Sequence, residues 1–190
     1  YYRDQGIHPE NFTCAHQNFC RQFAHQGIMT ETKMSMVGSR YGEKYPRIVV
    51  LSLDMPLGEN SPFKTPEQRT TAYVTAFTEA GNYTLDRPNP HWAMTQIIVK
   101  DVLCLFGYPP VVNAAVVAES YANRPIENVS AYFAHVNLSK CSMNNPGKGQ
   151  ADSMVHVTCS KAYLLKELEI LRPQILISQG KSANQILSGF

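Results

Sequence analysis

Arg47-Ile48-Val49-Val50-Leu51-Ser52-Leu53 is an unbroken apolar, β-branched run introduced by Pro46. A half-exposed strand alternates polar and apolar residues, whereas a run like this suits a strand covered on both faces, as in a parallel sheet flanked by helices. Two further segments read as strands, Ala131-Tyr132-Phe133-Ala134-His135-Val136-Asn137-Leu138 and Gln174-Ile175-Leu176-Ile177-Ser178, the latter bounded by Pro173 and Gly180. Pro110-Val111-Val112 is a candidate start for a fourth. Helical patterns alternate with these strands. Thr65-Pro66-Glu67-Gln68 carries an N-cap threonine, a proline at the first helical position and a capping-box glutamine, which predicts a helix to Ala80 before Gly81. A second helix is predicted from Trp92 to Phe106, and the longest from Asp152 to Leu171, ending before Pro173. Strands alternating with helices predict α/β layers: a three-layer α/β/α arrangement around a mostly parallel four-stranded sheet. Ligands of such sheets bind at the carboxyl ends of the strands. Here those ends are Ser52–Pro56, Asn137–Ser142 and Ser178–Lys181.

Composition sets the outer limits. The 190 residues are 44% hydrophobic and 17% charged, enough for one well-cored domain and against a disordered chain. A net charge of +2 excludes a histone-like basic arm and an acidic tail, and neither favours nor excludes nucleic acid. No apolar run approaches membrane-spanning length, so a soluble globular domain with no membrane partner is expected. Tyr1 is followed by polar residues rather than a signal core, and a helical pattern is still running near Phe190. Residues 1–190 are therefore expected to form a single domain lacking its C-terminal end.

Five cysteines punctuate the chain. Cys104, inside Val102-Leu103-Cys104-Leu105, reads as a small buried hydrophobe. Cys14 and Cys20 near the start, and Cys141 and Cys159 after a long gap, admit three readings: scattered reduced thiols, a secreted disulfide framework, or four thiolate ligands to zinc or an iron–sulfur cluster. Neither pair is a tight C-x-x-C, which disfavours a zinc ribbon. Sequons at Asn11, Asn82, Asn128 and Asn137 are what the secreted reading has in its favour. Of the six histidines, none makes a spaced metal pair, although His16 lies close enough to Cys14 to replace it as a ligand.

The segment from Phe133 to Leu187 resembles the second half of the iron–sulfur uracil-DNA glycosylases, within the uracil-DNA glycosylase superfamily. The matching order is a strand ending in Asn137, then Cys141, the loop Asn144-Asn145-Pro146-Gly147, and Thr158-Cys159-Ser160 on a helix. Arg172-Pro173-Gln174-Ile175-Leu176-Ile177-Ser178 and the turn Gln179-Gly180-Lys181-Ser182-Ala183 complete it. The first half is similar more loosely: two cysteines precede a strand running into Ser52-Leu53-Asp54-Met55-Pro56, where the family has G-E-A-P-G or G-Q-D-P-Y. Asp54 falls on the aspartate of the latter motif. The likeness covers about three quarters of the chain. It departs in three places: Cys14 and Cys20 are separated by five residues instead of two, Arg87-Pro88-Asn89-Pro90-His91-Trp92 is only the nearest counterpart of a G-R-P-F segment, and no terminal His-Pro motif is seen.

The resemblance implies a DNA glycosylase that hydrolyses the N-glycosidic bond of uracil or another modified base flipped out of DNA. It implies a structural [4Fe-4S] cluster on Cys14, Cys20, Cys141 and Cys159, with DNA as the partner of a monomeric protein in a prokaryotic cytoplasm. Such chemistry needs a carboxylate to orient water and stabilise a cationic sugar, for which Asp54 is placed just past a strand end. It needs an edge-reading group, and the amide of Asn137 offers both a donor and an acceptor. Ser52, Leu53, Met55 and Pro56 would line the pocket, His91 or Trp92 would stack, and Gln179, Gly180, Lys181 and Ser182 would hold a phosphate. The alternative is a non-catalytic iron–sulfur nucleic-acid-binding protein of the same fold, kept open by the replaced glycine of the first motif and the near-neutral charge.

Overall fold

The computed structural model describes residues 1, 3–5, 14–23, 30–31, 35–53, 90–109, 129–142 and 152–189. The predicted helix from Thr65 and the segment from Pro110 lie outside them. Six strands are present among the described residues: β1 (Thr30–Glu31), β2 (Met36–Val37), β3 (Ile48–Ser52), β4 (Phe133–Asn137), β5 (Cys141–Ser142) and β6 (Ile175–Ser178). The helices are α1 (Gln17–Arg21), α2 (Pro90–Leu105), α3 (Ser153–Cys159), α4 (Leu165–Leu171) and α5 (Lys181–Leu187). A π-helical segment, Ser160–Leu164, joins α3 to α4. The single long helix expected over this region is thus present but carries a wider turn immediately after Cys159. Asp152 caps it rather than joining it, its side chain accepting the amide of Met154 at 2.9 Å.

The main sheet has the order β2-β4-β3-β6. β3 pairs in parallel with β4, Ile48 opposite Phe133 through Ser52 opposite Asn137, and in parallel with β6, Ile48 opposite Ile175 through Leu51 opposite Ser178. The fourth member, β2, is antiparallel and lies along β4. The sheet is therefore mixed. A small second ladder pairs Glu31 with Cys141 and Thr30 with Ser142.

Alternation along β3 divides the core into two. Ile48 and Val50 pack with Phe133, Met36, Tyr45, Tyr108 and Val129 against Val99 and Leu103 of α2. Val49, Leu51 and Leu53 face the other way, with Ala134, Val136, Leu138, Leu164 and Ala183. Every residue of β3 and β4 is buried, as the unbroken apolar run requires. β6 carries the same kind of run, stands at the end of the strand order among the described residues, and is only partly covered. Gly107, with φ +83°, ends α2 as the sequence leads one to expect, and the amide of Tyr108 returns to the carbonyl of Leu103 at 3.1 Å. No helix among the described residues is long and apolar enough to cross a membrane.

Close backbone approach sets the edge of the sheet. Gly38 follows β2, its amide donating to the carbonyl of Phe133 at 2.9 Å while the amide of Arg40 donates to Ala131 at 2.8 Å. A Cβ at Gly38 would collide with the backbone carbonyls of Ser130 and Ala131, neither of which can swing aside. Gly38→Ala is therefore expected to cost about 1–3 kcal/mol in urea unfolding; an unchanged midpoint would contradict the packing described.

Tyr41 packs beside the Val49 face of the core and donates its hydroxyl to the carbonyl of Leu171 at 3.0 Å. Burial raises its pKa above the ordinary 10.0, with the Arg47 cation opposing. Above pH 10 the unfolded chain loses this proton first. The stabilisation is complete below that pH and disappears as the pH climbs through the raised folded value. Tyr41→Phe should flatten the alkaline fall in the urea midpoint above pH 10, and an identical fall in both proteins would refute the assignment.

Candidate functional site

The carboxyl ends of β3, β4 and β6 lie side by side, and the ladder continues one residue past each partner. The amide of Leu138 donates to the carbonyl of Ser52 and that of Gln179 to the carbonyl of Leu51, both at 2.8 Å. Residues of the same parity point to the same face of a sheet. Ser52, His135 and Asn137 thus share the α2 face with Ile48, Val50 and Phe133, and stand at its carboxyl end, toward the start of α2.

This end is polar and buried. The Ser52 hydroxyl lies 2.8 Å from Nε2 of His135 and donates to Oε1 of Gln179 at 3.2 Å, while Thr95 of α2 donates to the same Oε1 at 3.0 Å. An amide oxygen only accepts, so the Ser52 proton goes to Gln179. Two hydroxyls thereby fix the plane of the Gln179 carboxamide. Asn137, 2% exposed, keeps its Oδ1 buried with no hydrogen-bond partner among the described residues. A buried unsatisfied acceptor at a strand end calls for a donor from elsewhere.

The structure brings Ser52, Asn137 and Gln179 together, as the strand-end argument expects. Leu53 alternates onto the opposite face and is packed in the core beside Leu51, so its side chain is a packing group and not a lining one. Gly180 turns with φ +99° into α5, whose first turn holds exposed Lys181 and Ser182. Asp54, Met55 and Pro56 lie outside the described residues. His91 and Trp92 belong to the first turn of α2, their side chains outside the description.

Sequence reasoning left Thr95 and His135 without roles. Their signal was a polar residue within an apolar element: His135 interrupts Phe-Ala-His-Val, and Thr95-Gln96 interrupt the apolar side of α2. Gln96 has a structural task, receiving the amide of Val129 at 2.8 Å and donating to Ser130 at 2.9 Å.

A second assembly holds the thiols. Cys14, Cys20 and Cys159 are buried in one cluster with Val155 and Tyr163, covered by Tyr1, Phe19, Phe23 and Ala162. The sulfur of Cys14 lies 2.8 Å from the Tyr163 hydroxyl and accepts the amide of His16 at 3.4 Å. The His16 ring stands edge-on to Tyr163 at 6.3 Å. Cys104 is half-buried and packed in the core on α2. Cys141 lies in β5, opposite Glu31, and its side chain lies outside the description. No three His, Cys, Asp or Glu side chains among the described residues stand in a metal-holding arrangement. The donor set nonetheless suits a thiolate-bound group in kind, since three of the four cysteines share one buried cluster drawn from both ends of the sequence.

No family model, curated protein or solved structure matches the chain.

Ser52→Ala removes a 1%-exposed hydroxyl from between His135 and Gln179. Thermal or urea unfolding should report a loss of about 1–3 kcal/mol. A neutral effect would show that this chain of hydrogen bonds does not order the strand ends.

Proposed function

We propose that the protein is a monofunctional DNA glycosylase, hydrolysing the bond between deoxyribose and uracil or another modified base turned out of the helix. The observation that carries this reading is Asn137: an edge-reading amide, buried at the carboxyl end of β4, opposite the end of β3 that leads to Asp54, with Oδ1 unpartnered among the described residues. The resemblance across Phe133–Leu187 supports it. The finer fold we propose is the three-layer α/β/α form of the uracil-DNA glycosylase superfamily, acting as a monomer on DNA inside a prokaryotic cell.

In this reading the flipped base enters beside Asn137, whose amide pairs with its Watson–Crick edge. His91 or Trp92 stacks on its face, with Met55 and Pro56 beside it. Asp54 accepts a hydrogen bond from water, directing its oxygen to C1′ as the glycosidic bond breaks and the electron pair leaves with the base; the proton that water loses passes to the Asp54 carboxylate, and the base anion is protonated by solvent. The carboxylate also stabilises the positive charge that develops on the sugar. Gln179, its carboxamide fixed by Ser52 and Thr95, precedes Gly180, Lys181 and Ser182, which hold a phosphate of the strand.

Cys14, Cys20, Cys141 and Cys159 would hold a [4Fe-4S] cluster. When bound, it supplies a cross-link between the N-terminal segment and the loop after Asn137, and no reaction step. A thiolate-bound cluster also fits a reducing, cytoplasmic setting.

The test uses single- and double-stranded oligonucleotides, each with one uracil or other modified base, with abasic sites revealed by alkaline strand scission. Scission is expected with the intact protein, and Asp54→Asn should slow it 10²- to 10⁴-fold with oligonucleotide binding retained. Binding without abasic sites across the whole set would contradict glycosylase activity and favour the non-catalytic nucleic-acid-binding alternative.

A further inference from the structure

Lys140 and Glu167 form a buried ion pair, Nζ to Oε2 2.6 Å, with side chains only 3% and 4% exposed. The other ion pairs of the described residues, Tyr1–Asp4, Arg40–Glu43 and Lys166–Glu169, each have a largely exposed carboxylate. Lysine and glutamate are almost never fully buried unless paired. Their mutual attraction does not dependably offset the desolvation of both, and apolar side chains of similar volume often pack at least as well. What an apolar pair lacks is direction.

The direction here is specific. The Lys140 ammonium also donates to the carbonyl of Asn137 at 2.7 Å. Glu167, on α4, is held from its other oxygen by the hydroxyl of Ser35 at 3.1 Å. Ser35, Glu167 and Lys140 therefore form a line of two hydrogen bonds joined by the ion pair, from the start of β2, across the helix that follows Cys159, to the peptide group on the C-terminal side of Asn137. A lysine suits this place because one compact ammonium can donate to the Asn137 carbonyl while its charge stands against the Glu167 carboxylate. Fixing that carbonyl fixes the peptide plane after Asn137, and with it the direction in which the Asn137 side chain leaves the strand.

We infer that Lys140 and Glu167 are positioning residues for Asn137, their buried pair holding its carboxamide in the orientation that reads a base. This inference deepens the glycosylase reading and rests on it for the ligand, although the geometric effect on Asn137 can be observed without any substrate.

The test compares the wild-type chain with the double variant Lys140→Met, Glu167→Leu and with Glu167→Gln, which keeps an acceptor for Lys140. In ¹⁵N-labelled protein the Asn137 side-chain amide pair, assigned by its loss in Asn137→Asp, reports orientation directly. The double variant should keep the backbone resonances of β3 and β4 but move or split the Asn137 amide pair. It should also lower kcat on a uracil-containing oligonucleotide about 10- to 100-fold with KM changed less than about 3-fold. Glu167→Gln should leave both near wild type. An Asn137 signal and a kcat unchanged in the double variant would overturn the inference and leave the pair a packing element. If wild-type protein forms no abasic site, the glycosylase reading fails separately, and the amide signal alone decides positioning: a shift supports it and no shift overturns it. Should the double variant not fold, Lys140→Gln with Glu167→Gln, a neutral pair too short to reach the Asn137 carbonyl, is read by the same signal with the same outcomes.

Discussion

The parallel pairing of β3 with β4 on one edge and β6 on the other is the contact on which the rest of the molecule depends. It buries Ile48, Val49, Val50 and Leu51 to 1% exposure or less. Each such side chain contributes on the order of 1.5–3 kcal/mol, against a net stability of roughly 5–15 kcal/mol for a domain. The same pairing sets the register that puts Ser52 opposite Asn137 and Ser178 opposite Leu51. Because the three strands run in one direction, their carboxyl ends meet at one edge of the sheet, and polar groups at that edge converge without any long loop to carry them.

Convergence creates a problem that the side chains then solve. Ser52, Thr95, His135 and Asn137 sit at 1–2% exposure, where a polar atom without a partner is costly. Ser52 and Thr95 meet the requirement by donating to Gln179, and the Ser52 hydroxyl also meets Nε2 of His135. The Oδ1 of Asn137 stands apart from that chain, and the peptide just beyond it is held by Lys140.

Much of this was legible in the sequence, for identifiable reasons. The run at Arg47–Leu53 suited a doubly covered strand, and Pro173 and Gly180 bracketed another. Alternation of strand and helix then gave the carboxyl ends as the place to look. Other features were not legible. The antiparallel strand Met36–Val37 is two residues long and has no periodicity to read. The π-helical turn after Cys159 leaves the helical pattern of the sequence intact while changing which face Tyr163 presents. Nothing in the sequence pairs Lys140 with Glu167; only the fold, by laying the turn after β4 against α4, makes them a buried pair. Leu53 was grouped with the lining residues by proximity in sequence, and strand alternation sends it the other way.

Cys14, Cys20 and Cys159 come from opposite ends of the sequence into one buried cluster, with Cys141 three residues beyond the carbonyl of Leu138 along the loop that Lys140 anchors. In the glycosylase we propose, the site at the strand ends and this thiol assembly are two parts of one device. The most direct measurement is iron and acid-labile sulfide per chain, with a visible spectrum, on protein purified without oxygen. The account predicts about four irons and matching sulfide with a broad brown absorbance. A colourless protein that takes up no iron on reconstitution would contradict it.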